Sequence, residues 1–125
     1  MKPLTIYFAL FFLLNFSALA QKTVYWTGGT PGQENNWHCS RNWNNGRVPD
    51  WSCDVVVPDL STKGEFYPAI YLQQAEPIRS LTVHSNARLT VVTLHGLHVE
   101  GWMEIQGLLL DKSEESRNQA TASSQ

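Results

Sequence analysis

Apolar and polar residues alternate along the second half of the chain, between residues 54 and 110. Four triplets there set one polar residue between two apolar ones, and a pleated strand would turn both apolar side chains to the same face. The triplets are residues 81–83, 89–91, 97–99 and 103–105. Two earlier runs, 54–58 and 68–72, are apolar and partly β-branched, so they also predict strands. The pattern predicts an all-β protein.

The spacing of the triplets limits the architecture. They begin 8, 8 and 6 residues apart, with turn-forming residues such as Gly96 and Gly101 between them. Short strands at this spacing fit a β-solenoid, in which successive coils stack like residues on one another, or an antiparallel meander that closes into a sandwich or barrel. The regular triplet favours the solenoid, and the antiparallel β-sandwich is the alternative.

Residues 22–53 have a different character. Trp26, Trp37, Trp43 and Trp51 lie close together in sequence among many Asn, Gly and Pro residues, and no helical period of apolar positions occurs. This segment is predicted to consist of irregular loops and short extended pieces held by buried indoles. The solenoid-like domain would then cover 21–110, with this segment as its cap and 54–110 as its coils.

The two ends of the chain are predicted to lie outside the domain. A charged start, an apolar run at 4–14 and Ala18-Leu19-Ala20 are typical of an export signal over residues 1–20. The apolar run is too short for a permanent bilayer span, so we expect none after cleavage before Gln21. Residues 111–125 contain no Val, Ile, Leu or aromatic side chain, which is typical of a disordered polar tail.

Composition and charge exclude several classes of protein. Removal of the predicted signal leaves 8 Lys and Arg against 11 Asp and Glu. The chain has no excess of basic residues that could bind the phosphates of a nucleic acid, so nucleic acid is not expected as a partner. A domain confined to 21–110 has little room for both a core and a deep cleft, which argues against a stand-alone enzyme.

Cys39 and Cys53 are the only cysteines, and both lie after the predicted signal. An even pair in an exported protein most often forms a disulfide. Such a bond would close a loop of about fifteen residues and contribute roughly 3 kcal/mol on the chain-entropy model. A disulfide between them is therefore predicted; a zinc site is not, because the spacing lacks the close CxxC pairs of zinc ligands.

A series of motifs resembles a known family. The order is YWTGG at 25–29, NW at 36–37, NWNNGRVP at 42–49, DVVVP at 54–58 and PAI at 68–70, followed by SLTV at 80–83, ARLTV at 87–91 and LHVEG at 97–101. This order resembles the N-terminal region of secreted, adhesin-like bacterial proteins, often delivered by type IX secretion; a more distant likeness is to the G8 domain of animal surface proteins. The resemblance implies the capped start of a right-handed parallel β-helix in a secreted protein or at the bacterial cell surface.

The tryptophans are the main candidates for a binding function. Exposed indoles stack on the apolar faces of sugar rings, so a Trp-rich exported domain suggests glycan binding. Trp26, Trp37 and Trp43 match the capping motifs and are expected to be structural, whereas Trp51 and Trp102 are the candidate binding residues.

Catalytic chemistry is not indicated by any motif. Neither a nucleophile elbow nor a phosphate-binding loop occurs, and Glu100 and Glu104 have no cleft to flank. No catalytic residue, cofactor or metal site is therefore expected. The sequence predicts a structural or interaction module whose partner is another protein at the exposed solenoid end or a surface glycan; a small carbohydrate-binding module is the alternative.

Overall fold

The structure, a computed structural model, describes residues 22–71, 73–93 and 96–112. This part of the chain contains seven strands and, as its only helix, one 3-10 turn at Ser40–Asn42. The strands are β1 Lys22–Tyr25, β2 Cys53–Val57, β3 Ala69–Ile70, β4 Ser80–Val83, β5 Arg88–Val91, β6 Met103–Ile105 and β7 Leu108–Asp111. The all-β prediction is confirmed for these residues. The predicted signal and all of the predicted tail beyond residue 112 lie outside them.

The strands form two sheets, and the chain alternates between them. Sheet 1 has the order β1-β2-β4-β6, and sheet 2 has the order β3-β5-β7. From β2 onward each strand in one sheet is followed by a strand in the other, and each return adds the next neighbour in parallel. All pairings among the seven described strands are parallel, so they do not form the alternative antiparallel sandwich.

Apolar residues stack from strand to strand inside both sheets. Val24, Val55 and Leu81 are register partners in sheet 1 and are fully buried. In sheet 2, Ile70 pairs with Val91, and both are buried. Because side chains alternate between the faces of a strand, the parallel register repeats this inward set in each successive strand.

The third triplet, residues 97–99, does not form a strand. Val99 instead makes an isolated parallel bridge with Ile78, which is fully buried, and Val99 is half-buried against the core. This bridge adds a third line of stacking outside the two sheets.

The N-terminal segment is more regular than predicted, because β1 is the first strand of sheet 1. Its register runs from Lys22 opposite Cys53 to Tyr25 opposite Val56. Only Val24 of β1 is buried in the core, so the sequence of β1 has no alternation of apolar and polar residues that would predict a strand. The strand forms because it pairs with β2.

The predicted disulfide between Cys39 and Cys53 is wrong: within the part of the chain that the structure describes, both cysteines are free. Cys53 is buried at the start of β2, where its Sγ lies 3.5 Å from Oδ1 of Asp50. Burial raises the pKa of the Cys53 thiol, and the Asp50 carboxylate adds to the rise. The short 3-10 turn that begins after Cys39 and strand β2 are held by hydrogen bonds and packing instead.

Among the described residues, no helix is long and apolar enough to cross a membrane.

Candidate interaction surfaces

The stack of sheet 1 begins next to a cluster of three buried tryptophans, Trp26, Trp37 and Trp43. The ring of Trp43 meets Trp26 at a centroid distance of 5.1 Å and Trp37 at 4.8 Å, both nearly perpendicular. Such edge-to-face pairs are favourable because the positive edge of one ring meets the negative face of the other. The residues assigned to the cap thus form one aromatic cluster, hereafter the Trp cluster.

Hydrogen bonds hold two of the three indoles. Trp26 Nε1 donates to the carbonyl oxygen of Phe66 at 2.7 Å, and Trp43 Nε1 donates to that of Trp37 at 2.8 Å. Trp37 Nε1 is buried and has no hydrogen-bond partner among the described residues. The cluster therefore contains two satisfied donors and one unsatisfied donor.

Asn42, which is fully buried, holds the loop around the Trp cluster. Its side-chain nitrogen donates to the carbonyl oxygens of Gln33 and Asn36, and its side-chain oxygen accepts from the amide of Thr30. The backbone carbonyl of Asn42 also accepts from the amides of Thr27 and Gly28. One buried residue thereby holds several parts of this loop together.

The opposite end of the stack is open in the described structure. β6 and β7 are the last strands of their sheets, so one edge of each has no described neighbour. Met103, the register partner of Leu81, is 49% exposed, whereas Leu81 is fully buried. Leu108 is also 49% exposed, and Ile105 and Leu109 are only partly buried. Leu108 pairs with the exposed Arg88 and therefore faces outward on sheet 2, whereas Met103, Ile105 and Leu109 pair with buried residues. The end formed by Met103, Ile105 and Leu109 is called the open end below.

The outer face of sheet 1 carries aromatic and polar side chains. Tyr25, Val56, Thr82 and Glu104 are register partners along one column that crosses all four strands. Their exposure decreases from Tyr25 to the half-buried Val56 and Thr82 and rises again at Glu104.

Trp102 belongs to the same face. Leu81 donates its amide to the carbonyl oxygen of Trp102 at 3.2 Å, and continuing the β4–β6 register back by one residue sets Trp102 beside Ser80. Alternation then directs Trp102 outward, since its neighbour Met103 occupies the inward column. The indole is 54% exposed.

A small polar network lies next to Trp102. Ser80, which is buried, donates from its hydroxyl to Oδ1 of Asp54 at 2.6 Å. Arg79 Nε lies 3.6 Å from the same carboxylate oxygen. The network joins β2 to β4 on the outer face and balances the charge of Asp54.

Trp51, the second candidate from the sequence, lies elsewhere. It is 69% exposed in the turn before β2, where Asp50 Oδ1 accepts from the amide and hydroxyl of Ser52. These two hydrogen bonds lower the pKa of the Asp50 carboxyl. Trp51 precedes β2, and Trp102 directly precedes β6. Because β4 lies between β2 and β6 in the sheet, Trp51 and Trp102 are not neighbours in the strand register.

Three exposed aromatic residues, Tyr25, Phe66 and Tyr71, were not predicted as candidates. Tyr25 stands on the outer face of sheet 1, opposite Trp102 across the sheet. Tyr71 is exposed and lines a depression of about 250 Å³ together with Asn36, His38 and Gln73. Single tyrosines carry no sequence signal of their own, so only the strand register could have identified Tyr25.

Metal chemistry finds no support in the geometry. Across residues 22–71, 73–93 and 96–112, no three His, Cys, Asp or Glu side chains lie together in a way that could hold an ion.

Comparisons with family models, with curated proteins and with solved structures find no match to this chain.

Proposed function

We propose that residues 22–112 form the capped beginning of a right-handed parallel β-helix, and that this domain acts as a structural and interaction module. The single observation that carries the proposal is the difference between the two ends of the stack. At the end that contains the Trp cluster, the inward Val24 of β1 is fully buried, whereas at the other end Met103, which continues the same inward column in β6, is 49% exposed. A module with one closed and one open end is suited to joining a further polypeptide at the open end.

The alternation between two parallel sheets supports the β-helix. Asp54 pairs with Ser80 and Leu81 with Met103 in sheet 1, while Ala69 pairs with Thr90 in sheet 2. Each return to a sheet thus passes through a strand of the other sheet, as a coil of a β-helix does. Connections between parallel neighbours in one sheet are right-handed in about 98% of cases, which supports the handedness.

The open end has the features of a strand-addition site. Exposed strand edges present unpaired backbone donors and acceptors, and proteins that avoid pairing usually protect them with charges, bulges or covering segments. Here the edge strands carry apolar residues at inward positions, Met103 of β6 and Leu109 of β7. An added strand would pair with the edge and bury these side chains. A second copy of the chain, which offers the same apolar end, is the partner that we name.

The location follows from the sequence features. An export signal over residues 1–20 and motifs resembling adhesin-like proteins support a secreted or cell-surface module of the bacterial envelope. The role requires no catalytic group, because joining polypeptides depends on packing and backbone hydrogen bonds alone.

Sedimentation velocity of the chain that begins at Gln21 tests this proposal. We expect reversible, concentration-dependent association that Met103→Lys and Leu109→Lys abolish, because each places a charge in the apolar contact. Trp51→Lys, which replaces an exposed aromatic residue with the same charge away from the open end, should leave association unchanged.

Two results would contradict the proposal. One is a protein that stays monomeric at every concentration tested. The other is association that survives both lysine substitutions at the open end, or that Trp51→Lys reduces equally.

A further inference from the structure

We propose that the outer face of sheet 1 binds a neutral polysaccharide, with Trp102 and Tyr25 stacking on sugar rings at opposite sides of the sheet. This inference does not depend on the open end, because outward and inward positions alternate along each strand. It assigns a ligand class to a surface and adds Tyr25, Thr82 and Glu104 to the candidate Trp102.

The spacing of the two aromatic residues suits a chain of sugar rings. Tyr25 belongs to β1 and Trp102 directly precedes β6, and these are the first and last strands of the four-stranded sheet. Neighbouring strands lie about 4.8 Å apart, so three steps across the sheet separate the two rings by roughly 14 Å in that direction. Several pyranose rings laid across the strands would fill this distance.

The rings of Tyr25 and Trp102 are exposed, and neither ring is needed to fill the core. Val24 and Met103, their neighbours in sequence, supply the inward side chains at these points. Tyr25 remains 44% exposed and Trp102 more than half exposed. A ring with an apolar face and a polar atom at its edge can stack on the C–H face of a sugar while its N–H or O–H bonds a hydroxyl.

Polar groups lie on the same face as the rings. Thr82 and Glu104 occupy the column that begins at Tyr25, and their oxygens can accept hydrogen bonds from sugar hydroxyls. Glu104 is exposed, and its Oε1 accepts from Gln106 Nε2 at 3.2 Å, which orients the carboxylate. In ligand sites, apolar and aromatic side chains supply contact area and a few placed polar groups fix the orientation of the ligand.

The backbone beneath the face is held in place. The amide of Tyr25 donates to Oδ1 of Asn44 at 2.9 Å, and the amide of Asn44 donates to the carbonyl of Tyr25 at 3.0 Å. On the other side, Ser80 and Asp54 are hydrogen-bonded to each other in the column of Trp102. A face fixed before binding loses less conformational freedom when a ligand arrives.

The charge on the face selects a neutral ligand. Asp54 is balanced by Arg79, so Glu104 is left as a negative charge in the column that begins at Tyr25. A uronate or sulfate group placed there would meet a carboxylate, and like charges at short range are unfavourable. Neutral glucans, mannans and xylans have only hydroxyls to offer and avoid this cost.

Affinity electrophoresis and Trp fluorescence titration of the chain that begins at Gln21 test the inference. The probes are soluble neutral polysaccharides (laminarin, hydroxyethyl cellulose, galactomannan and arabinoxylan) and two anionic ones, alginate and polygalacturonate. We expect saturable binding to at least one neutral probe and none to the anionic probes.

Variants locate the site. Trp102→Ala and Tyr25→Ala should each weaken binding by about tenfold or more, which corresponds to about 1.4 kcal/mol. Trp51→Ala removes a more exposed indole away from the face and should leave affinity within twofold. Far-UV circular dichroism checks that each variant is folded.

Several outcomes would overturn the inference: no binding to any neutral probe, equal binding to anionic probes, or a loss with Trp51→Ala that matches the loss with Trp102→Ala. The result is separable from the open-end proposal, because Leu109→Lys should abolish self-association and leave glycan affinity unchanged.

Discussion

Replacing tryptophans of the Trp cluster by phenylalanine should give unequal losses of stability, although all three are buried. In each case a phenyl ring on Cβ replaces the larger bicyclic indole and the distal part of the side chain is lost, so the packing loss is similar, roughly 1–2 kcal/mol. The polar consequence differs, because Trp43 Nε1 donates to a carbonyl oxygen at 2.8 Å while Trp37 Nε1 has no partner among the described residues.

The magnitudes follow from the state of each donor. Trp43→Phe leaves the buried carbonyl of Trp37 without this donor, which costs about 1–3 kcal/mol beyond packing. Trp37→Phe removes a buried donor that is already unsatisfied. The folded state no longer carries the desolvation penalty of that donor, which offsets the packing loss by about 1–3 kcal/mol. We therefore expect Trp43→Phe to be less stable than Trp37→Phe by at least about 2 kcal/mol.

Urea denaturation followed by far-UV circular dichroism measures the difference, since fluorescence would change with the loss of an indole. The slope of unfolding free energy against urea should stay constant, so the midpoints compare directly. Trp26→Phe, which loses a 2.7 Å hydrogen bond to Phe66, should resemble Trp43→Phe, and Trp51→Phe at the surface should be neutral. Equal losses at Trp37 and Trp43, or a larger one at Trp37, would refute the reasoning.

Two further predictions concern the last turn and acid stability. A Cβ at Gly107 would collide with the backbone carbonyl oxygen of Ala87. We therefore expect Gly107→Ala to lower the free energy of unfolding, measured with urea, by about 1–3 kcal/mol, whereas Gln106→Ala next to it should be nearly neutral. A Gly107→Ala variant as stable as the parent would contradict this. Hydrogen bonds from Ser52 lower the pKa of Asp50, so this carboxylate contributes stability above its unfolded pKa of about 3.9, and the contribution is lost as the pH falls through the folded pKa. Asp50→Asn should therefore flatten the decrease of the melting temperature between pH 5 and pH 2, and an unchanged profile would refute this role.

Sequence pattern predicts this fold well where a strand buries alternate residues. The triplets at 81–83, 89–91 and 103–105 lie within β4, β5 and β6, and the polar middle residues Thr82 and Glu104 occupy the outer column. β1 was not predicted as a regular strand, because a short strand with one inward side chain gives no period. Pairing partners far apart in the chain, such as Asp54 and Ser80, are also invisible to a local pattern.

For the candidate surfaces too, local sequence predicts some residues, and others can be found only from the strand pairing. Trp102 was predicted because it lies outside the capping motifs and follows Gly101, whereas Tyr25 required the register of β1 to be known. The disulfide was inferred from the even number of cysteines and from the predicted compartment. Neither observation contains the Cα separation and side-chain direction that a disulfide requires.

The two proposed surfaces depend on one register at β6. Trp102 and Met103 are adjacent, yet one lies on the outer face and the other continues the core column of Leu81. A slip by one residue would exchange these positions and put Glu104 into the core column, where an unpaired charge is costly. Gly101 restrains the slip further, since a Cβ there would lie 2.6 Å from the carbonyl oxygen of Arg79, so this backbone approach fits a glycine. The same packing that stacks β6 on β4 thus presents an aromatic residue outward and an apolar residue at the open end.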